Sequence, residues 1–398
     1  MLSVEEARGR ILAHAILTPS ERLPLDRCAG RVPAVFGLTA VFDVPPFANS
    51  AMDGFALRAA DAPGVLRLVG EVAAGAADLP RVEAGTTVRI LTGAPIPPGA
   101  DAVVPLELVD ERGETVQVPG VERAANVRAA GYDTRAGERV ELPAAPLGAA
   151  SIGVAASMGY GSLEVRRRPK VAILSTGDEL VAPGVPLGPG QIPDANGPLL
   201  AAAVVEAGGE VVGPARVGDD AAAIERAVEE ATAGADLLVV SGGVSVGRYD
   251  HVRGVLERAG TLDFWRIAIQ PGKPLAFGKV AGRPVFGLPG NPVSALVTFE
   301  LFARPLIRAM LGMPGEGRQH LPVRFRGEPL RKDPARRAYL RVVVAIEDGS
   351  WVARATGGQS SSQLRPLAAA NALLIVPEGE AAAVAGATYD ALLIGDLP

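Results

Sequence analysis

The sequence predicts a multidomain α/β plus β protein: a central, mostly parallel α/β sheet, an inserted N-terminal β-rich domain and a small C-terminal β-barrel. Three observations carry this prediction. Between residues 170 and 312, apolar strand-type runs alternate with helical ones, the pattern of a parallel sheet joined by crossover helices. From about 45 to 140 the chain is cut by Gly and Pro into short β-type runs. After Pro314, five short strand-type runs follow within about 80 residues, which suits a small barrel.

Taken in order, Ser3-Val4-Glu5-Glu6 reads as a capping box, and Ile11, Leu12 and Ala15 continue an apolar stripe, so the chain opens with a helix. Strand-type runs follow at 65–69, 87–91 and 102–106. Residues 146–168 look helical until Arg166-Arg167-Arg168-Pro169 closes the region, giving boundaries of 1–168, 169–314 and 315–398. In the second region, strands are expected at 171–174, 210–212, 237–240, 264–269 and 285–286. Helices are expected at 197–207, 221–233, 251–258 and 292–310. The last region has strands at 323–326, 339–346, 351–355, 372–376 and 390–394, and there is no internal repeat.

Composition excludes several function classes. No apolar run reaches the roughly 18 residues of a membrane helix, and the N-terminus lacks the pattern of a signal peptide. A cytoplasmic protein is expected. The net charge of -5 with 4% aromatics argues against nucleic-acid binding. Cys28 is the single cysteine, and His14, His251 and His320 lack metal-ligand spacing, so a zinc site is not expected.

Three strand-to-loop junctions stand out. Leu237-Leu238-Val239-Val240 runs into Gly242-Gly243-Val244-Ser245-Val246-Gly247. The others are Ser175-Thr176-Gly177-Asp178-Glu179-Leu180 and Gly287-Leu288-Pro289-Gly290-Asn291-Pro292. In parallel sheets, ligands bind beyond the carboxyl ends of the strands, and glycines let backbone N–H groups approach an anion. Each junction also has a plain structural reading as a tight turn or, for Asn291-Pro292, a well-made helix start. There is no GxxxxGK[ST] loop and no GxGxxG after a first strand, which disfavours P-loop ATPases and dinucleotide oxidoreductases. Asp178 and Glu179 are candidates for helix caps, surface charges or Mg²⁺ ligands, and Asp219, Asp220 and Asp250 are further acidic candidates. Lys273, one of only four lysines, sits in the rigid turn Gln270-Pro271-Gly272-Lys273-Pro274. In the N-terminal half, the long loop from Val44 to Ala56 is joined in texture by Leu91–Pro97 and Ala130–Asp133.

These motifs, together with Pro45-Pro46-Phe47-Ala48-Asn49-Ser50-Ala51-Met52-Asp53-Gly54-Phe55-Ala56 and Thr92-Gly93-Ala94-Pro95, occur in the order seen in the molybdopterin molybdenumtransferases. The chain resembles this MoeA family, which includes the C-terminal domain of gephyrin, from about residue 2 to 395. The resemblance implies the molybdenum-cofactor-biosynthesis fold for the central domain, and a homodimer. It also implies a reaction in which adenylylated molybdopterin and molybdate give molybdenum cofactor and AMP with Mg²⁺ assisting, downstream of a molybdopterin adenylyltransferase.

The resemblance carries over residue by residue. Asp53, Thr92, Asp133, Glu179, Asp219 and Lys273 match family functional positions, Asp219 in the weakest local register. Ser175, Thr176, Gly177, Gly242, Gly243, Ser245, Gly247, Pro289, Gly290, Asn291 and Ser294 would line the ligand site, with Arg341 and Ser361 added by position. Glu179 and Asp250 would face the metal. Gln270 stands where many relatives have lysine, leaving Arg266 or Lys273 to supply that charge. Asp53, Thr92 and Asp133 are expected from the partner subunit. Two other readings are an adenylyltransferase, which needs only the α/β unit, and a catalytically silent dimeric scaffold.

Overall fold

The computed structural model describes residues 1–243, 251–315 and 317–397. The chain forms two compact units, Met1–Glu21 with Arg166–Pro398, and Arg22–Val165. No helix among the described residues is long and apolar enough to cross a membrane.

The first unit is built on a six-stranded sheet. Its spatial order is Glu210–Val217, Lys170–Thr176, Leu237–Ser241, Arg283–Leu288, Ala276–Val280 and Gly260–Trp265. The first four strands pair in parallel, and the last two are joined on by antiparallel pairings, so only Ala276–Val280 runs against the rest. Successive side chains of a strand point to opposite faces, and here both faces are covered. Val171, Ile173, Leu237 and Val239 enter one core, under the helices Val4–Leu12 and Asn196–Ala207. Ala172, Leu174, Leu238 and Val240 enter the other, under Ala221–Gly234 and His251–Ala259. This is why the strands read as unbroken apolar runs.

The helix starts follow local chemistry. Ser3 Oγ accepts the Glu6 N–H, and the Glu6 carboxylate accepts the Ser3 N–H at 2.9 Å, completing the predicted capping box. Asp220 Oδ1 accepts the Ala223 N–H at 2.8 Å, so this candidate acid is spent on capping Ala221–Gly234. The expected helix at 292–310 forms as Pro292–Thr298, a π-helical stretch Phe299–Ala303 and Arg304–Met310.

One predicted strand is wrong in its bounds. The apolar run 264–269 splits, because Gly260–Trp265 ends where Arg266 adopts φ 116°. A residue other than glycine rarely takes that backbone conformation, and it breaks the ladder. Ile269–Gln270 then pairs in parallel with Arg337–Ala338. The strand Ala276–Val280 was not predicted, since Gly278 interrupts its β pattern.

After Met313, five strands close a barrel. Arg337–Glu347 pairs with Ser350–Ala355 on one side and Ala372–Val376 on the other, and His320–Phe325 and Thr388–Leu393 complete the circuit. Closure removes exposed strand edges, and residues including Val323, Phe325, Leu340, Val342 and Leu374 fill the interior.

The second unit carries its own six-stranded sheet, in the order Ala102–Pro105, Gly54–Leu57, Thr86–Ile90, Gly64–Val72, Thr115–Val118 and Asp110–Arg112. Its two faces bury separate clusters around Phe55 and Val88. A third cluster lies against the helix Ala149–Ser157.

Candidate functional site

A cavity of about 700 Å³ opens at the carboxyl ends of Lys170–Thr176, Leu237–Ser241 and Arg283–Leu288. The three glycine-rich junctions meet there. Thr176, Gly177, Glu179, Asp219, Gly242, Gly243, Pro289, Gly290 and Asn291 all line it. Ser245, Gly247 and Asp250 lie outside the described residues.

The glycines divide into two kinds. Gly242 has φ 99°, and a Cβ there would lie 2.6 Å from Thr176 Oγ1 and 2.7 Å from the Thr176 carbonyl oxygen. Its N–H donates to the Leu288 carbonyl at 3.1 Å, and the Gly177 N–H donates to Val217 at 3.1 Å. Both glycines therefore shape the loops without offering a donor to a ligand. The N–H groups of Gly243, Gly290 and Asn291 make no backbone hydrogen bond among the described residues. They are open to an anion at this edge.

Asn291 occupies the N-cap position, with Pro292 at the first helical position, but its side chain makes no capping bond. The Val293 N–H instead donates to the Ser361 carbonyl at 3.2 Å. Ser361 thus acts through its backbone, and its neighbour Ser362 lines the cavity. The loop holding them is anchored by Arg341, which is fully buried. Arg341 Nη2 donates to the carbonyls of Gly358 at 2.7 Å and Ser360 at 3.1 Å, while Nε and Nη1 are buried without an acceptor. Burial lowers the Arg341 pKa.

The acidic wall is equally ordered. Asp219 N–H donates to Asp178 Oδ1 at 3.0 Å, and Asp178 N–H donates to Asp219 Oδ2 at 3.4 Å. This reciprocal clasp needs Gly218, where a Cβ would sit 2.5 Å from Asp178 Oδ1. No helix starts at Asp178 or Glu179, so neither is a cap.

Two residues in the lining were missed from sequence. Asn196 Nδ2 donates to Ser241 Oγ and to the Gly290 carbonyl, each at 2.7 Å, tying the junction after Leu237–Val240 to the one at Gly287–Pro292. Asp194 is 1% exposed and accepts the Gly197 N–H at 2.9 Å. Asp194 Oδ2, Asn196 Oδ1 and Ser175 Oγ are buried without partners. The polar, proline-flanked run Pro193-Asp194-Ala195-Asn196-Gly197-Pro198 was the available signal.

Other candidates stand beside the cavity. Ser175 is buried behind Thr176, and Ser294 is 4% exposed, its carbonyl accepting Thr298 Oγ1 at 2.7 Å. Lys273 is exposed, next to Pro274 of the lining. Gln270 Oε1 accepts the Asp333 N–H at 3.0 Å, so that amide serves the barrel junction.

In the second unit, three loops are stitched by backbone bonds: Gly93 N–H to Ser50 O, Gly131 N–H to Pro45 O, and Asp133 N–H to Val44 O, each 2.9 Å. Asp53 Oδ1 accepts both the Thr92 N–H at 2.6 Å and Thr92 Oγ1 at 2.7 Å. The Thr92 hydroxyl and then its N–H hold the Asp53 carboxyl below the usual range. Asp53, Thr92 and Asp133 are all exposed.

Comparison with known proteins gives a consistent pattern. Residues 2–159 match the MoeA N-terminal region (domain I and II), 172–309 a probable molybdopterin binding domain, and 326–394 the MoeA C-terminal region (domain IV). The chain is 38% identical over 367 residues to molybdopterin molybdenumtransferase 2 of Mycobacterium tuberculosis, covering 88% of this chain and 89% of that protein. It is 40% identical over 317 residues to the molybdopterin molybdenumtransferase of Haemophilus influenzae, covering 78% of each. The crystal structure of a molybdopterin biosynthesis MoeA protein from Pyrococcus horikosii superposes with a TM-score of 0.84 at 31% identity, covering 99% of both chains.

Proposed function

This chain belongs to the MoeA family of molybdopterin molybdenumtransferases, and from that premise we propose how its own residues carry the reaction. It is a transferase of molybdenum cofactor biosynthesis that inserts molybdenum, with a molybdopterin species and molybdate as substrates. The molybdopterin substrate is the adenylylated form, supplied by an upstream adenylyltransferase, and AMP is the second product. The observation that supports this reading is one cavity lined both by residues with unused N–H groups and by Glu179 and Asp219.

Exchanging a nucleotide cap for an oxometal group needs placement and charge compensation rather than a side-chain nucleophile. Gly243, Gly290 and Asn291 bind the phosphate oxygens. Asn196 keeps the two donor loops in register. Lys273, one residue from the lining, supplies positive charge to the departing nucleotide. The serine loop held by Arg341 covers the helix start beside the ligand.

Magnesium is the cation the family resemblance implies. The Glu179 carboxylate and Asp219 Oδ1 make no hydrogen bond among the described residues, while Asp219 Oδ2 accepts the Asp178 N–H, and no group of three His, Cys, Asp or Glu among the described residues could hold a metal ion alone. That donor set fits Mg²⁺, which takes one or two carboxylates and completes its shell with phosphate oxygens and water. Glu179 and Asp219 would hold it, and it would neutralise the pyrophosphate. Asp53, Thr92 and Asp133 belong to the same reaction and act from the partner subunit of a cytoplasmic homodimer.

The test is cofactor reconstitution with purified protein, adenylylated molybdopterin, Mg²⁺ and molybdate, following AMP. Molybdate-dependent AMP release supports the reading. Accumulation of adenylylated molybdopterin from molybdopterin and ATP would favour the adenylyltransferase alternative, and no response to molybdate would favour a silent scaffold. Mixing Asp53→Ala and Glu179→Ala proteins tests the shared site. Heterodimers that regain no activity would sink that part of the proposal.

A further inference from the structure

Away from the cavity, three arginines converge on a second concavity of about 440 Å³. Arg304 and Arg308 lie on the helix Arg304–Met310, and Arg318 follows it. Glu300, 2% exposed, accepts Arg304 Nε at 2.5 Å and Nη2 at 2.9 Å, and Arg318 Nε at 2.9 Å and Nη2 at 3.3 Å. Glu206 accepts Arg318 Nη2 at 2.7 Å and Arg304 Nη2 at 3.3 Å. Glu300 is engaged through both of its oxygens, whereas Glu206 accepts from the two guanidiniums through Oε2 alone.

Arg308 is left over. Its side chain has no ion pair and no hydrogen bond among the described residues, and its Nε is sealed from water with no acceptor. Asp396 lines the same concavity and pairs with none of the three arginines. Burial, then the charges of Arg304 and Arg318, hold the Arg308 pKa below its ordinary value. A guanidinium so placed has donors for a further acceptor, and its planar fork matches the oxygens of a tetrahedral oxyanion.

We propose that this concavity binds a tetrahedral oxyanion of the phosphate class, with Arg308 as its principal ligand and Arg304 and Arg318 as supporting charges. The site is separate from the sheet-edge cavity, with which it shares no lining residue. Phosphate and molybdate share the shape and charge it recognises. Glu316 and Pro398 neighbour lining residues in sequence and lie outside the described residues. If either already supplied the missing acceptor, the full-length protein would bind no added oxyanion here.

Equilibrium dialysis of the full-length protein against phosphate or molybdate, at constant chloride ionic strength, tests the site. Arg308→Gln is expected to weaken one class of bound oxyanion about tenfold, the value of one charge-assisted contact. AMP release at saturating molybdate should not change, which separates this site from the catalytic cavity. Tighter phosphate or tighter molybdate binding each supports the site and identifies its source. Identical binding by wild type and Arg308→Gln overturns the proposal, as does wild-type binding no stronger than chloride competition allows. Should Arg308→Gln fail to fold, Arg308→Lys keeps the charge and loses the fork. About threefold weaker binding is then expected, and unchanged affinity overturns the proposal.

Discussion

The sheet-edge cavity and the Asp53 loops hold their polar groups in opposite ways. In the cavity, Asn196, Asp194 and Gly242 are fixed by bonds that also join the strands and helices of the core. In the second unit, Asp53 is exposed, and its carboxylate accepts two bonds, both from Thr92. On the proposed reading, stability and chemistry draw on the same atoms at the first location, and at the second the chemistry is expected to be separable from the fold. Four substitutions sharpen or break this contrast.

Gly242→Ala should have the largest effect. The new methyl meets Thr176 Oγ1 and its carbonyl, on a backbone at φ 99°. A stability loss of about 2 kcal/mol and an activity loss of about a thousandfold are expected. Chemical denaturation together with AMP release would measure both, and a stable, active variant would mean the loop can shift freely.

Asp53→Ala should remove activity by about a hundredfold while leaving the unfolding free energy within about 0.5 kcal/mol of wild type. A matching fall in stability would erase the proposed difference between the regions.

Asn196→Ala should cost about 1–3 kcal/mol, since Ser241 Oγ and the Gly290 carbonyl lose their donor together. Activity should drop about tenfold as the two donor loops lose register. Full activity in a destabilised protein would restrict Asn196 to the fold.

Thr92→Val should give the smallest change. The Asp53 pKa is depressed, so the carboxylate's contribution is complete above the ordinary value of 3.8 and fades as pH falls through the lower folded value. Removing the hydroxyl should shift the Asp53 midpoint upward, measurable by carboxyl NMR titration. An unmoved midpoint would show that the Thr92 N–H alone sets it.

How much was legible in the sequence follows from how local each signal is. The strands at 171–174 and 237–240 were readable because burial on both faces demands an unbroken apolar run. The capping box of Ser3 and Glu6 was readable because both partners fall within four residues. Gly242 and Gly290 were legible as a pattern, but the sequence carried no hint that Gly242 spends its N–H on Leu288. Asn196 was missed because its partners lie 45 and 94 residues further along the chain. The split of the run 264–269 was hidden for a similar reason, since Ile269 finds its partner at Arg337. Asp53 and Thr92, 39 residues apart, could be paired only through the family resemblance.

The bond from the Val293 amide to the Ser361 carbonyl has a practical consequence for dissecting the protein. An excised central domain ending near residue 315 would bare the first turn of its last helix to solvent. Any crystallographic or inhibitor study on such a fragment would therefore survey a doorway missing its lintel.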